Sequence, residues 1–250
     1  MVLLCQEQQN TKGVNLCLLT QNIILESLIS ALSCITRRRH MRFLCCLLSI
    51  ISVFPFMHAQ AHPHSWIDLK TQIVGNETQI LGFKMSWTFD AMTSAYMLDG
   101  QDLSAKNKSK TLAKMASSLM VNINTEHYFT HFYDGDTSIK YARSDQGVLT
   151  QYKTKLTLDF YLPLLKPKEI NNRSMTLFVF EAGYYVDMSW KSENDVQLSP
   201  ELSKHCSIEL ILPNPTAQQF TYAMSLPADA NPNYDLGRVF SQTVNIICNK

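Results

Sequence analysis

The sequence contains one His-x-His pair, His62 and His64, and this pair is its strongest candidate for chemistry. In an extended chain, alternate residues project from the same face with Cα atoms about 7 Å apart, so two imidazoles can bind one ion. Proteins bind zinc through histidine nitrogens at about 2.0–2.1 Å, commonly with a carboxylate or water among the four ligands. Asp68 shares this face, and either Asp68 or Asp90 could donate an oxygen or accept a hydrogen bond from an imidazole N–H. The pattern predicts a divalent transition-metal site, with zinc as the preferred ion.

The histidine pair directly follows a pattern that is typical of a secretory signal peptide. Arginines are concentrated in residues 37–42, an uncharged apolar run covers residues 43–56, and the small residues Ala59 and Ala61 follow it. A membrane anchor is the alternative, but the run is shorter than the roughly 20 residues of a spanning helix. We therefore expect cleavage after Ala61 and export to the periplasm. His62 then becomes the first residue, with a free amine beside its imidazole.

Residues 1–40 show no clear hydrophobic period, and Met41 lies inside the arginine cluster. A signal peptide normally begins within a few residues of its basic cluster, so Met41 is the expected start of translation. The sequence thus predicts a spurious upstream extension over residues 1–40 and a signal peptide over 41–61. Residues 62–250 are expected to form a single periplasmic domain.

The charge of residues 62–250 is nearly balanced. Five of the 22 lysines and arginines and two of the 21 acidic residues precede this segment, which leaves a net charge of −2. Such a balance gives no reason to expect nucleic acid or an anionic membrane surface as a partner. No second apolar run approaches the length of a spanning helix, so the mature protein is not expected to be embedded in a membrane.

Cysteine usage agrees with export. Five of the seven cysteines precede residue 62, and only Cys206 and Cys248 follow it. An even pair in an oxidising compartment predicts a disulfide bond. Two metal-binding thiolates are the alternative, but no CxxC spacing supports them.

The hydrophobic pattern of the mature segment is mainly that of strands, and it predicts an α+β, mainly β fold. The architecture expected is an antiparallel sheet or sandwich of about eight to nine strands with a short helical insertion. The strands are predicted over residues 65–74, 79–88, 126–133, 138–143, 151–162, 175–181, 184–190, 206–212 and 239–248. Helices are predicted over residues 89–98 and 104–120, with one helical turn at 216–223.

Four motifs occur in one order along the chain: His62–Asp68 (HPHSWID), Trp87–Asp90 (WTFD), Tyr128–Thr130 (YFT) and Glu181–Asp187 (EAGYYVD). With the two late cysteines, they resemble the ZevA-like family, uncharacterised periplasmic components that contain a domain of unknown function. That family is linked to nickel, cobalt and zinc transporters of the NicO type. The resemblance implies a polytopic membrane transporter as partner and zinc as the metal.

Other candidate residues are weaker. His127 and His131 are four residues apart, and on the predicted strand they would lie about 13 Å apart and could not share an ion. They are interpreted as surface histidines. Tyr184, Tyr185 and Asp187 are expected to pack behind the metal site.

Three classes of function remain open at this point. The first is a periplasmic metal-binding accessory component of a zinc, nickel or cobalt transport system. The second is an enzyme, either a zinc hydrolase or a copper oxidase with an N-terminal histidine brace, and the third is a metal-free assembly module. An enzyme would need a third strong ligand and a substrate cleft, and the sequence identifies neither. We therefore expect a non-enzymatic, metal-binding protein.

Overall fold

A computed structural model describes residues 63–170, 174–227, 230 and 235–249. His62, the predicted cleavage site, the signal peptide and the upstream extension therefore lie outside the described residues.

The first two strands form the predicted hairpin. They are β1 (Ser65–Gly75) and β2 (Gln79–Phe89), and they pair antiparallel along nearly their whole length. Asn76 shapes the turn, because its side-chain oxygen accepts hydrogen bonds from the backbone of Thr78 and Gln79, both at 2.9 Å. Buried and exposed residues alternate along β1, so one face of the hairpin lies in the core and the other lies outside.

The first sheet contains six strands in the order β5-β6-β2-β1-β8, with β9 also paired to β1. The additional strands are β5 (Gly147–Tyr152), β6 (Lys155–Glu169), β8 (Val186–Ser189) and β9 (Val196–Leu198). β8 and β9 run parallel to β1, whereas the other pairs are antiparallel. The sheet is therefore mixed, and β8 begins beside the start of β1.

The second sheet contains five antiparallel strands in the order β10-β11-β7-β3-β4. They are β3 (Thr130–Asp134), β4 (Thr137–Ile139), β7 (Ser174–Val179), β10 (Cys206–Ile211) and β11 (Thr243–Cys248). β7 lies at the centre, as its continuous apolar sequence predicts. Cys206 and Cys248 lie directly opposite each other on β10 and β11, and they form the predicted disulfide bond.

The core lies between the two sheets, so the part of the chain that the structure describes is a β-sandwich with helical additions. Phe83 of the first sheet packs edge-to-face on Phe132 of the second, with ring centroids 5.1 Å apart. Trp87 and Trp190 are among the largest fully buried side chains. The predicted α+β, mainly β class and the sandwich are confirmed, but the described chain contains eleven strands rather than eight or nine.

The described part of the chain also contains four α-helices: α1 (Ala91–Leu98), α2 (Lys108–Thr125), α3 (Ala217–Ser225) and α4 (Leu236–Phe240). α2 is the predicted long helix, but it begins at Lys108 rather than at residue 104 and continues beyond residue 120. Among the described residues, no helix has the length and the apolar character needed to cross a membrane.

Four strand predictions are wrong in detail: residues 127–129 form a turn before β3, and β4 ends at Ile139 rather than at residue 143. Residues 151–162 were predicted as one strand, yet Lys153 adopts a left-handed φ of 52° and separates β5 from β6. Residues 239–248 were predicted as one strand, yet α4 ends at Phe240 and β11 begins only at Thr243.

Gln242 connects the two sheets and provides a test of the sandwich. Its buried side chain accepts a hydrogen bond from the Trp190 backbone N–H at 2.7 Å and donates one to the Trp190 carbonyl at 2.9 Å. Gln242→Leu is expected to lower the free energy of unfolding by about 2–4 kcal/mol, because two buried backbone groups lose their partners. Chemical denaturation measures this loss. Gln218→Leu on exposed α3 is the matched control, and equal stability of the two variants would contradict the prediction.

Candidate metal site at the start of the first strand

His64 lies immediately before β1 and is exposed. Its backbone N–H donates a hydrogen bond to the Tyr185 carbonyl at 2.9 Å, which continues the parallel pairing of β1 with β8. Its ring stacks against the Tyr185 ring, with centroids 6.0 Å apart and an interplanar angle of 25°. The imidazole is therefore held at a defined place on the outer side of the first sheet.

The loop that carries Tyr185 is organised by Glu181. The Glu181 carboxylate accepts hydrogen bonds from the backbone N–H groups of Gly183 and Tyr185, each at 2.7 Å. Between them, Tyr184 adopts a left-handed φ of 60°, and its ring stacks on Phe240 with centroids 4.2 Å apart. The EAGYYVD motif is thus a fixed turn, and it presents Tyr185 to His64.

α4 closes onto the same turn. The Gly237 N–H donates to the Ala182 carbonyl at 2.9 Å, and a Cβ on Gly237 would lie 1.8 Å from the Glu181 carbonyl oxygen. Only glycine permits this approach. The Tyr185 hydroxyl donates a hydrogen bond to the Ala230 carbonyl, so the turn is held from two sides.

Asp187 is a carboxylate on β8, the strand that pairs with the start of β1. It pairs in register with Trp66 on β1 and follows Tyr185 by two residues, so its Cα lies about 7 Å from that of Tyr185 on the same face. Burial raises the pKa of Asp187, the nearby Asp68 carboxylate raises it further, and Lys191 and Ser189 oppose this shift. A partly buried carboxylate with a raised pKa is a suitable metal ligand or imidazole acceptor.

Asp68 lies on the same outer face, but its carboxylate serves two lysines. It forms ion pairs with Lys191 at 3.0 Å and with Lys155 at 3.5 Å. Four residues of extended chain span about 13 Å, so Asp68 lies too far along β1 to share an ion with His64. Its negative charge raises the pKa of Asp187.

Asp90 is the N-cap of α1. One carboxylate oxygen accepts from the backbone N–H groups of Met92 and Thr93, and the other accepts from the Trp66 N–H at 3.0 Å and from the Thr93 hydroxyl. Burial raises the pKa of Asp90, but these hydrogen bonds together outweigh it and lower the pKa. Asp90 would have to give up these bonds to bind a metal. Its observed role is to fix the start of β1 against α1.

The second histidine pair lies apart from this site. His127 is in a left-handed turn and His131 is on β3, in the second sheet. The His131 ring stacks on Phe180 with centroids 4.4 Å apart, and burial, Arg238 and His127 lower its pKa. His131 is therefore half-buried rather than a simple surface histidine.

The structure thus brings His64 into contact with Tyr185 and places Asp187 on the neighbouring strand opposite Trp66, and it leaves Asp68 and Asp90 in other contacts. Among the residues that the structure describes, no three His, Cys, Asp or Glu side chains are placed to hold one ion. A site here requires donors from His62, whose imidazole and free amine are the expected additional ligands. The sequence signal for Asp187 is its spacing of two residues from Tyr185, but only the parallel pairing of β8 with β1 places Tyr185 next to His64 and Asp187 opposite Trp66.

The class defined by these features is a two-sheet β-sandwich whose first strand begins at an exposed, positioned histidine. The chain belongs to the family described as "Protein of unknown function (DUF1007)", whose model matches residues 47–248. It is also similar to an uncharacterized protein of Haemophilus influenzae, with 32% identity over 205 residues that cover 80% of this chain and 97% of the relative. No solved structure matches the chain.

Proposed function

We propose that the protein is a periplasmic metal-binding accessory component of a divalent transition-metal transport system, with zinc as the preferred ion. The observation that carries the proposal is the fixed contact between His64 and the EAGYYVD turn. This turn contacts the His64 imidazole through Tyr185, and it continues into β8 at Asp187, which pairs with Trp66 on β1. Two imidazoles, a terminal amine and a carboxylate are a donor set that suits zinc, nickel or cobalt.

The position of the site supports transfer of an ion rather than permanent storage. His64 is exposed, and Trp66 beside it on β1 has 41% of its surface exposed. A structural zinc site is closed by four protein ligands, whereas an open site exchanges its ion more easily. The resemblance to the ZevA-like family supports a NicO-type polytopic transporter as the partner that gives or takes the ion.

An enzyme is the alternative function. A zinc hydrolase needs an open coordination position and a substrate cleft at the metal, and a copper histidine brace needs a second imidazole facing the first. Pro63 has no backbone N–H, so a copper chelate through the amides of residues 62–64 cannot form in its usual way. We expect the zinc-loaded and copper-loaded protein to show no turnover of hydrolytic or oxidative substrates.

Calorimetric titration of protein processed at His62 tests the metal site. We expect one zinc ion to bind per chain, and the double variant His62→Ala, His64→Ala to lose this binding. His62→Ala should weaken binding more than His64→Ala, because it removes the imidazole that chelates together with the terminal amine. Binding should weaken as the pH falls from about 7.5 to 5.5, since metal ligands must be deprotonated.

A variant with one additional residue before His62 is the decisive control. It keeps both imidazoles but moves the free amine, and its affinity is expected to fall at least about tenfold. If the extended variant and the double variant bind zinc as tightly as the processed protein, the metal site at the start of β1 is wrong. His127→Ala, in the turn that precedes β3, should bind zinc normally in the same titration.

A further inference from the structure

A cleft of about 560 Å³ lies on the outer face of the first sheet, away from the candidate metal site. Its floor is formed by β1, β2 and β6, and the turn Glu193–Asp195 with β9 forms one side. Lys70 in its floor lies six residues after His64, which corresponds to about 20 Å of strand. The volume is within the range of about 300–1,000 Å³ that small-molecule sites occupy.

The floor presents polar side chains from three adjacent strands in register. One row across the sheet contains Lys70, Ser86 and Asp159, and the next row contains Gln72, Lys84 and Tyr161. All six side chains lie on the outer face, because they alternate with buried residues of the core. Neighbouring strands are about 4.8 Å apart, so each row extends roughly 10 Å.

The charges in the cleft are balanced and largely unpaired. Lys70 and Lys84 face two carboxylates, Asp159 and Asp195. In the described part of the chain, neither lysine nor Asp159 forms an ion pair. Asp195 accepts hydrogen bonds from the backbone and the hydroxyl of Ser192, so its carboxylate mainly stabilises the side of the cleft. The available groups are therefore two donors, one acceptor and several side chains that do both.

Tyr161 supplies an apolar surface beside these groups. A Cβ on Gly82 would lie 2.7 Å from the Tyr161 hydroxyl, so the side chain leans across Gly82 along the sheet. The side chain remains 39% exposed, and Tyr161 lines the end of the cleft nearest Gly82. A glycine at position 82 is what allows the tyrosine to lie in this way.

We infer that this cleft is a binding site for a neutral saccharide. A sugar hydroxyl both donates and accepts hydrogen bonds, which suits lysine donors, an aspartate acceptor and the Ser86 and Gln72 side chains together. The C–H face of a sugar ring can pack on the exposed Tyr161 ring. The balanced charge disfavours a polyanion or a polycation, because either would meet charges of its own sign. The rows across three strands offer repeated contacts to a short oligosaccharide.

Saturation-transfer NMR and calorimetry with chitotriose, cellotriose and maltotriose test this inference on the purified protein. At least one trisaccharide is expected to bind saturably. Tyr161→Ala and Asp159→Asn should each weaken that binding about tenfold, the equivalent of one lost hydrogen bond or packing contact. Tyr152→Ala, an exposed tyrosine on the same sheet that does not line the cleft, should bind as the unchanged protein does.

Three results would overturn the inference. They are no saturable binding of any trisaccharide, binding by the Tyr161 and Asp159 variants as strong as that of the unchanged protein, and binding of citrate or free lysine in place of the sugars. Thermal unfolding of each variant shows whether it is folded. Ser86→Ala is a smaller substitution in the row that contains Asp159, and it removes a single hydroxyl from the cleft. Zinc titration of the same variants should be unchanged. The saccharide site and the metal site can therefore fail independently.

Discussion

Asp187→Asn is expected to weaken zinc binding by about tenfold to a hundredfold and, at the same time, to stabilise the metal-free protein. The loss of affinity follows if Asp187 ligates the ion or accepts a hydrogen bond from a ligating imidazole, since removal of either kind of partner has effects of this size. The gain in stability follows because burial and the Asp68 carboxylate raise the pKa of Asp187, so that its ionised form is disfavoured in the folded protein. Zinc titration and chemical denaturation of the variant measure the two effects.

The pH dependence has a definite sign. A carboxyl group whose pKa is raised by folding contributes its full stability at a pH where it is protonated in both the folded and the unfolded protein. This contribution is lost as the pH rises through the pKa of the group in the folded protein. The difference between Asp187→Asn and the unchanged protein should therefore vanish below about pH 4, the range of an ordinary aspartate, and be fully present at neutral pH. Asp136→Asn, exposed in the β3–β4 turn, should change neither property. Lower stability of Asp187→Asn at neutral pH would contradict this account of the site.

The parts of the fold that the sequence predicts well are those in which one face of a strand is buried. The β1–β2 hairpin, β7 and the long helix α2 follow from alternation, a continuous apolar run and a 3–4 spacing of apolar residues. These patterns reflect burial, and burial is what determines the layers of a sandwich. The boundaries are less well predicted, because the ends of α2 depend on local contacts rather than on a hydrophobic pattern.

The elements that sequence analysis misses are short and depend on distant contacts. β9 has only three residues, and its pairing partner β1 precedes it by more than 100 positions. α4 contains Val239 and Phe240, which favour a strand by composition. It forms a helix because Gly237 packs closely against the Glu181 backbone, and this long-range contact cannot be inferred from the local sequence.

The YFT motif shows the same limit for the backbone. His127, Tyr128 and Phe129 all adopt left-handed φ values, between 48° and 57°. Each such residue costs of order 1 kcal/mol, so no local propensity predicts three in succession. The turn is held by the buried Tyr128 hydroxyl, which accepts a hydrogen bond from the Ser144 N–H at 2.7 Å. The YFT motif therefore has a structural role, and the turn with its buried tyrosine accounts for these residue types without a ligand.

The candidate site was only partly predictable. His64, Trp66 and Asp68 do share the outer face of β1, as their spacing indicates. The position of Asp187 at this end of the sheet depends on the parallel strand β8, which follows β1 by more than 100 residues. Sequence spacing favoured Asp68 and Asp90, whereas strand pairing favours Asp187. The prediction that His62 ligates the metal remains a prediction, since His62 lies outside the described residues.

Loss of the disulfide is expected to have the largest effect on stability. Cys206 and Cys248 close a loop of 42 residues and join the edge strand β10 to β11. In the chain-entropy model, a crosslink of this length stabilises the folded state by about 4 kcal/mol, because it restricts the unfolded chain. The double variant Cys206→Ala, Cys248→Ala should lose about this free energy in chemical denaturation.

Reduction of the unchanged protein is the matched control for the disulfide, and it should cause a similar loss without any substitution. Zinc stoichiometry should remain at one ion per chain in both cases, because the cysteines lie on the second sheet and His64 leads into the first. The two alternatives for these cysteines are thereby separated. Thiolate ligands would lose zinc when substituted, whereas a structural bridge loses only stability. Two free thiols detected by mass spectrometry in non-reduced, exported protein would show that the bond does not form.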